Sequence, residues 1–281
     1  CARNRHKGSK ILTIDVKRAY FYAAARRDIY VEIPEEDREP GDEDKAGKLN
    51  LSLYGTRDAA QNWTIEYTET LKKLGFKSGL ASPCNFHHEG KDISVTVHGD
   101  DFTATGTAEN LEWFRFNVAQ KYEIKHSVVG PGVHDAKEVR VLNRIIRWTD
   151  DGIEYEADQR HAEIVVNEMG MSKANSVTSP GVKPVEEVPE DEWEPLDASH
   201  SSKYRGLAAR INHLAADRPD IQFSAKEISR WMSKPNKHNW EAMKRMARYL
   251  LGASRVVQKY KWEAEERRLV TYTDSDWAGC K

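Results

Sequence analysis

The sequence predicts an α+β fold, an antiparallel sheet with helices packed on one face, and three observations support this prediction. Two short strand-like runs flank a tight turn in ISVTVHGDDFTATG, residues 93–106. Helical patterns stand on either side of this hairpin, and further helices follow in the last third of the chain. Such an order is typical of helices layered on an antiparallel sheet.

The first predicted strand is KILTIDV, residues 10–16, which is rich in aliphatic and β-branched side chains. It carries one carboxylate, Asp15, in otherwise apolar company. An aspartate that ends an apolar strand indicates a metal or catalytic ligand, and a cap for the next helix is the alternative. A short strand is predicted next at residues 29–34, IYVEIP.

The first predicted helix covers residues 57–74 and ends at Gly75, which supplies a C-terminal stop. One stripe of this helix holds Trp63, Tyr67, Leu71 and Leu74. Residues 81–88 lead into the next strand, and after the hairpin Thr107 is the predicted N-cap of a second helix.

The hairpin at residues 93–106 alternates apolar and polar side chains in its first strand, as a half-buried strand does. Gly99 can adopt the positive φ that a tight turn needs. Asp100 and Asp101 follow, and two adjacent carboxylates are costly to bury unless a cation pairs them. If Asp15 lies beside them, the three acids suit two-metal phosphoryl transfer. The alternative is a solvated Gly-Asp-Asp turn.

The second half of the sequence predicts one strand at residues 138–148 and another at 153–157, joined by a hairpin turn at Asp150-Asp151-Gly152. A helix from Asp158 to about Gly170 is predicted next. A linker rich in Pro, Ser and acidic residues follows at 172–199. Three helices are then expected at about 202–216, 219–233 and 238–251, with Gly252 just past the last. Two strands, 256–262 and 268–273, end the pattern.

Charge is distributed unevenly along the 281 residues, although the net charge is only −2. From Lys203 to Lys261 there are 14 Lys and Arg against 4 Asp and Glu. This balance favours contact with a polyanion, and solvated basic helix faces are the alternative. Three distant cysteines predict a reducing, intracellular location, in a cytoplasmic particle or the nucleus. No membrane-spanning run or signal peptide is predicted.

Motifs in a fixed order carry a resemblance to a known family. They are Asp15-Val16-Lys17-x-Ala19-Tyr20, Ser52-Leu53-Tyr54-Gly55, Ala81-Ser82-Pro83-Cys84, Asp100-Asp101, Tyr204-Arg205-Gly206-Leu207, Arg218-Pro219-Asp220-Ile221, His238-Asn239-Trp240-Glu241-Ala242 and Tyr272-Thr273-Asp274-Ser275-Asp276-Trp277-Ala278-Gly279. The ordered set resembles the reverse transcriptase of copia-type LTR retrotransposons, a part of their Pol polyprotein.

The resemblance implies four regions along the chain. They are a polymerase palm with partial fingers at residues 1–171, an acidic linker at 172–199, a basic helical thumb or connection region at 200–255 and the start of an RNase H-like domain at 256–281. A first residue other than Met and an end inside a motif predict a piece of a longer protein. Because few residues precede Ile11, we expect residues 1–281 alone not to polymerise, and because they reach only the first RNase H acid, we expect them not to cleave RNA.

The resemblance also implies roles for particular residues. Asp15, Asp100 and Asp101 are expected to hold two Mg²⁺ ions, with Mn²⁺ as an alternative, and the Val16 carbonyl is an added ligand. Tyr20 is expected to exclude a ribose 2′-hydroxyl, with core packing as the plainer role. The remaining predicted contacts are Gly55 and Arg57 for template and nucleotide, Lys244, Arg245 and Arg248 for the nucleic-acid backbone, and Asp274, or less favourably Asp276, for the RNase H site.

The expected partners are an RNA template, a DNA primer and dNTPs. The rest of the Pol polyprotein is expected as well, with integrase, which performs DNA integration, upstream and RNase H downstream. Three departures from the family pattern are His98-Gly99 before the two aspartates, Arg57-Asp58-Ala59-Ala60-Gln61 after Gly55, and Val141-Leu142-Asn143. They favour one alternative, a catalytically dead nucleic-acid-binding relic. A weaker alternative, an RNA-dependent RNA polymerase, rests on Gly99-Asp100-Asp101 alone.

Overall fold

A computed structural model of the chain describes residues 8–182 and 193–262, together with the single residues 271 and 273. Contacts divide the chain into two compact units, residues 1–137 with 261–281, and residues 138–260. Antiparallel sheets and helices make up the described parts, so the α+β class is confirmed. Asp274, Asp276 and most of the predicted strand 268–273 lie outside the described residues.

The first unit is built on an antiparallel sheet of six strands. In chain order the strands of this unit are β1 (Ser9–Val16), β2 (Tyr30–Glu32), β3 (Ala46–Lys48), β4 (Lys77–Ser78), β5 (Asn85–His88), β6 (Ile93–His98), β7 (Asp101–Thr107) and β8 (Ile124–Val129). Strands β2 and β3 pair with each other, and the others form the sheet in the order β4-β5-β6-β7-β1-β8. Strand β1, the first in the chain, therefore lies between β7 and β8, the last two strands of this unit in chain order.

Two helices, α1 (Ala59–Lys73) and α2 (Ala108–Ala119), bury their apolar stripes in the same core as the sheet. This core includes Trp63, Tyr67, Leu71, Ile93, Val95, Val97, Leu111, Phe114 and Val118. The predicted alternation of β6 is confirmed, because its side chains are buried and exposed in turn. Each buried side chain of this size stabilises the fold by about 1.5–3 kcal/mol.

Two predicted helix ends in this unit, Gly75 after α1 and Thr107 before α2, are confirmed by their contacts, whereas α1 begins at Ala59 rather than at Arg57. Gly75 has φ +93° and follows the last turn of α1, where the Gly75 N–H donates to the Lys72 carbonyl at 3.0 Å. The Thr107 hydroxyl accepts from the Asn110 N–H at 3.4 Å and caps α2. Side-chain oxygens at this position satisfy a backbone donor that the helix leaves unpaired.

The described part of the second unit combines four strands with four helices. The strands are β9 (Glu138–Val141), β10 (Arg144–Thr149), β11 (Gly152–Glu156) and β12 (Val257–Lys261), in the sheet order β12-β11-β10-β9. The helices are α3 (Arg160–Glu168), α4 (Ala198–Ala215), α5 (Gln222–Arg230) and α6 (Lys237–Gly252). The four helices share one apolar core.

The prediction of a single strand at residues 138–148 is wrong. The segment forms two strands, β9 and β10, joined by Leu142 and Asn143 with φ of 49° and 65°. Two successive positive φ values are the pattern of a type I′ hairpin turn. Asn tolerates this conformation, whereas Leu rarely adopts it. The turn lacks glycine, so no residue of the usual type marks it in the sequence.

The predicted helices of the last third are confirmed, with different ends. Helix α4 starts at Ala198 rather than near 202, because the Asp197 carboxylate accepts from the His200 N–H at 2.9 Å. The helix predicted at 219–233 is a 3₁₀ turn, Pro219–Ile221, followed by α5. Helix α6 includes Gly252, so that glycine does not lie beyond the helix as predicted.

The division of contacts at residue 137 differs from the grouping that the sequence suggested. Residues 138–171 belong to the second unit, and strand β12 joins the sheet formed by β9, β10 and β11. The functional regions at 1–171, 172–199, 200–255 and 256–281 stay predictions.

Candidate active site

Asp15 and Asp101 are direct partners across two neighbouring antiparallel strands. The register of β1 and β7 pairs Asp15 with Asp101, and Asp100 precedes Asp101 at the tip of the hairpin. Residues that face each other in this way have Cβ atoms about 4.5–5.5 Å apart. The structure therefore brings the three predicted acids to one edge of the sheet.

The same register builds a row of four side chains across four strands. His98 on β6 pairs with Asp101 on β7, Asp101 pairs with Asp15 on β1, and Asp15 pairs with Lys125 on β8. Partners in register point to the same face of a sheet. Two titratable bases thus flank the two central carboxylates.

Like charges at this edge affect one another. Partial burial, followed by the charges of Asp100 and Asp15, raises the pKa of the Asp101 carboxyl, and the charge of His98 opposes that rise. Three carboxylates in one electrostatic field are a set of hard oxygen donors that a divalent cation would neutralise. The donor type and the charge therefore fit Mg²⁺ or Mn²⁺.

The three carboxylates supply the charge that a divalent ion needs, but their side chains do not yet form a complete set of metal ligands. Within residues 8–182 and 193–262, no three His, Cys, Asp or Glu side chains are already grouped so that they could hold a metal ion. Asp15 and Asp100 are exposed, whereas Asp101 is half-buried, so at least two of the carboxylates are accessible from solvent. The carboxylates therefore fit an ion by their chemistry and by the strand register that brings them together, although their side chains are not arranged as a preformed metal site.

The tip of the hairpin is bonded to two other elements. Gly99 has φ +60°, as predicted for the turn, and its carbonyl accepts from the Trp63 Nε1–H of α1 at 2.7 Å. The Asp100 carbonyl accepts from the Val16 N–H of β1 at 3.0 Å. A positive φ at the first turn position alone is the pattern of a type II′ turn, which requires glycine there.

Tyr20 lies on a 3₁₀ turn, Ala19–Tyr22, that follows β1. Its ring packs on that of Tyr54 with centroids 4.4 Å apart, and Phe21 meets Tyr54 edge-on at 5.7 Å. Partial burial and then the charge of Asp100 raise the pKa of the Tyr54 hydroxyl, which places this aromatic group close to the acidic edge. Tyr20 also packs against the core, which is the plainer role expected for it, and its role against a ribose 2′-hydroxyl stays a prediction.

Gly55 and Arg57 lie in the connection before α1, where both are exposed and Gly55 has φ +88°. Asp58, which belongs to one of the departures from the family pattern, forms an ion pair within the chain. Its carboxylate lies 3.0 Å from Arg27 Nε and accepts from Asn62 Nδ2 at 3.2 Å. These two contacts outweigh partial burial and lower the pKa of Asp58. The extra negative charge is therefore largely compensated by Arg27.

The predicted basic residues lie on α6, in the second unit. Lys244 Nζ donates to Glu241 one turn earlier at 2.5 Å, and Arg248 Nε donates to the Asn175 carbonyl at 2.7 Å. Arg245 Nε is buried and has no hydrogen-bond partner among the described residues. Their role at a nucleic-acid backbone stays a prediction, and two of the three already serve contacts within the protein.

Two residues near the site were not assigned a role from the sequence. Lys125 gave no signal, because only the strand order brings it beside Asp15. Trp63 was identified only as part of an apolar helix stripe, although its indole reaches the hairpin tip. Among the described residues, no helix has the length and the apolar character needed to cross a bilayer.

The chain is similar to known proteins over most of its length. The sequence model of the family described as reverse transcriptase (RNA-dependent DNA polymerase) matches residues 2–183. The chain is 27% identical to the retrovirus-related Pol polyprotein from transposon RE1 of Arabidopsis thaliana over 96% of its length, and 24% identical to that from transposon TNT 1-94 of Nicotiana tabacum over 95%. It spans 18% and 20% of these two polyproteins, about a fifth of their length.

Proposed function

This chain belongs to the reverse transcriptase family of copia-type retrotransposons, and we propose that its first unit carries the catalytic edge of an RNA-directed DNA polymerase. The family membership rests on the match over residues 2–183 and on the two Pol polyproteins that align with nearly all of the chain. The resemblance found in the sequence is thereby confirmed. The proposal adds the chemistry and the residues that perform it.

One observation carries the proposal, the register that pairs Asp15 with Asp101 beside Asp100. Nucleotide addition needs concentrated negative charge that can accept cations next to a triphosphate. The acids of a solvated turn need no partner from a distant strand. Here an acid that ends β1 meets the hairpin acids, as such chemistry requires.

In this proposal Asp15, Asp100, Asp101 and the Val16 carbonyl would hold two Mg²⁺ ions, for which Mn²⁺ can substitute. When bound, the ions supply charge neutralisation for the phosphates and a more acidic primer hydroxyl. The protein contributes the position of the carboxylates and an open edge at which a nucleotide can bind. Lys125 adds a positive charge at the end of the same row.

Further roles follow from the aromatic group and the exposed connection. Tyr20, supported by the ring of Tyr54, is proposed to lie against the sugar and to exclude a 2′-hydroxyl. Gly55 and Arg57 are proposed to contact template and nucleotide, since both are exposed and neighbour Tyr54 in the chain. The compensation of Asp58 by Arg27 favours this proposal, because a free carboxylate there would repel phosphates.

The proposed partners are an RNA template, a DNA primer and dNTPs. In this proposal residues 1–171 form a palm with partial fingers and residues 200–255 form a thumb or connection region, where Lys244, Arg245 and Arg248 supply sequence-independent charge. The RNase H-like start at 256–281, the neighbouring parts of Pol and an intracellular location belong to the same proposal.

The test measures nucleotide binding and primer extension by residues 1–281 with a primed RNA template. We expect Mg²⁺-dependent binding of dNTP in preference to NTP, which Asp100→Asn abolishes without lowering the melting temperature. Extension above the Asp100→Asn background would establish the activity, and it would correct the expectation that residues 1–281 alone are inactive.

The two alternatives predict different results in this experiment. A catalytically dead relic would bind the primed template and show no Mg²⁺-dependent dNTP binding. An RNA-dependent RNA polymerase would bind NTP in preference to dNTP. Either result would contradict the proposed function.

A further inference from the structure

Both carbonyl groups of the hairpin tip accept hydrogen bonds from outside the hairpin. The Trp63 indole N–H donates to Gly99 at 2.7 Å and the Val16 N–H donates to Asp100 at 3.0 Å. Among the described residues, no atom outside the two chain neighbours of Gly99 lies within 4 Å of the position that its Cβ would occupy. Because no side chain packs on that side of the turn, hydrogen bonds are what orient its two peptide groups.

Trp63 is a rigid donor. Its side chain is 1% exposed, and the rings of Tyr67, Tyr122 and Phe102 meet it edge-on at centroid distances of 5.6, 5.2 and 6.4 Å. A buried indole normally finds a partner for its N–H. The packed rings fix where that N–H points, and it points at the peptide that joins Gly99 to Asp100.

We propose that Trp63 is a positioning residue for the acidic edge, because its indole N–H fixes the Gly99–Asp100 peptide and with it the directions of the Asp100 and Asp101 carboxylates. The inference rests on the proposed function, since it concerns the carboxylates assigned to the metal ions. It differs from a packing role, because the N–H and not the bulk of the ring supplies the effect. Val16 supplies the second restraint through its backbone N–H, which a change of its side chain to another non-proline residue leaves in place.

The test replaces the N–H and keeps the shape. Position 63 receives 3-benzothienylalanine, whose ring sulfur stands where the indole nitrogen does, and Trp63→Phe serves as a second variant. Trp113→Phe is the matched control, because Trp113 packs against the same core and contacts His88 and Lys91 rather than the tip. Mn²⁺ affinity is measured by electron paramagnetic resonance of the free ion, and the melting temperature is measured in parallel.

We expect Mn²⁺ to bind the wild-type chain and to lose that site in Asp100→Asn. The isostere at position 63 should weaken Mn²⁺ binding about tenfold, the lower end of the effect of removing a residue that orients metal ligands. Trp113→Phe should leave the affinity within twofold of wild type. A purely structural role would lower the melting temperature and leave the Mn²⁺ affinity of the folded protein unchanged.

The outcomes separate the two proposals. If the wild-type chain and Asp100→Asn bind Mn²⁺ equally, or neither binds it, the proposed metal site is wrong and the role of Trp63 falls with it. If Asp100→Asn loses the ion and the isostere binds as tightly as wild type, the role of Trp63 alone is wrong. The isostere preserves the packing, so a failure of Trp63→Phe to fold does not prevent the decision.

Discussion

Asp15 and Asp101 occupy facing positions on β1 and β7, so two like charges stand side by side on the sheet with Asp100 next to them. Facing like charges destabilise a sheet. Burial is the first cause of the raised pKa of Asp101, and repulsion from Asp100 and Asp15 adds to it. A fold that keeps this arrangement tolerates a cost in stability at its acidic edge.

The first prediction concerns that cost. Asp101→Asn should raise the free energy of unfolding by about 0.5 kcal/mol in a chelating buffer, because it removes one of the facing charges. It should also abolish stabilisation by Mg²⁺, which reaches about 2.7 kcal/mol for wild type when the ion is at 100 times its Kd. Urea unfolding with and without Mg²⁺ measures both, and Asp44→Asn, in an exposed loop, is the control.

The second prediction concerns an ion pair in the second unit whose arginine is buried. The Arg218 side chain is 1% exposed and donates to both Asp220 oxygens at 2.8 and 2.6 Å and to the Ala253 carbonyl at 2.9 Å. Arg218→Met should lower the free energy of unfolding by about 3 kcal/mol, because it removes a buried guanidinium and leaves Asp220 without its cationic partner and the Ala253 carbonyl without this donor.

The matched control for this change is Arg160→Met. Arg160 is 66% exposed and pairs with Asp158 at the start of α3. Its loss should cost less than about 1 kcal/mol, because the Arg160 guanidinium lies mostly in solvent. Equal losses in the two variants would contradict a structural role for the Arg218 pair.

The third prediction is a pH dependence that depends on Glu156. Arg255 first, then Arg147 and Gln159, hold the pKa of this buried carboxyl at about 2, against the opposing effect of burial. The unfolded chain binds the proton near the ordinary value of 4.5, so Glu156 stabilises the fold above that pH and its contribution is lost as the pH falls towards 2.

Glu156→Gln should therefore lower stability at pH 6 and flatten its decline between pH 5 and pH 2, measured by urea unfolding across that range. Glu163→Gln is the control, because Glu163 is exposed on α3. An unchanged acid limb in Glu156→Gln would show that other groups dominate acid unfolding.

The fourth prediction concerns nucleic-acid binding. Binding of a primed template should weaken steeply with salt and vary little with sequence, because phosphate contacts release counterions. Reversal of Lys244, Arg245 and Arg248 to Glu should reduce both affinity and the salt slope. Fluorescence anisotropy at several salt concentrations measures both the affinity and its salt slope. An affinity that does not change with salt would exclude binding through contacts between these basic side chains and phosphates.

A control of equal charge separates position from net charge. Reversal of Lys203, Arg205 and Lys234, which are exposed, changes the net charge by the same amount. Circular dichroism must accompany the measurements, because Arg248 also donates to the Asn175 carbonyl. Equal weakening by both sets would mean that the α6 residues form no specific contact surface.

Features that depend on neighbouring residues could be predicted from the sequence. The alternation in β6, the apolar stripe of α1, the cap at Thr107 and the positive φ of Gly99 each follow from a few adjacent side chains. The turn at Leu142 and Asn143 is a local feature that could not, because no glycine marks it and the strand pattern continues through it.

The sequence by itself determined the α+β class, the strands that carry Asp15, Asp100 and Asp101, and the family to which their order belongs. Only the tertiary structure decided which strands are neighbours, and so which side chains meet. Lys125 stands beside Asp15 because β8 pairs with β1, and Trp63 reaches Gly99 across 36 positions of the chain. Such contacts depend on the order and register of the whole sheet, which no local periodicity encodes.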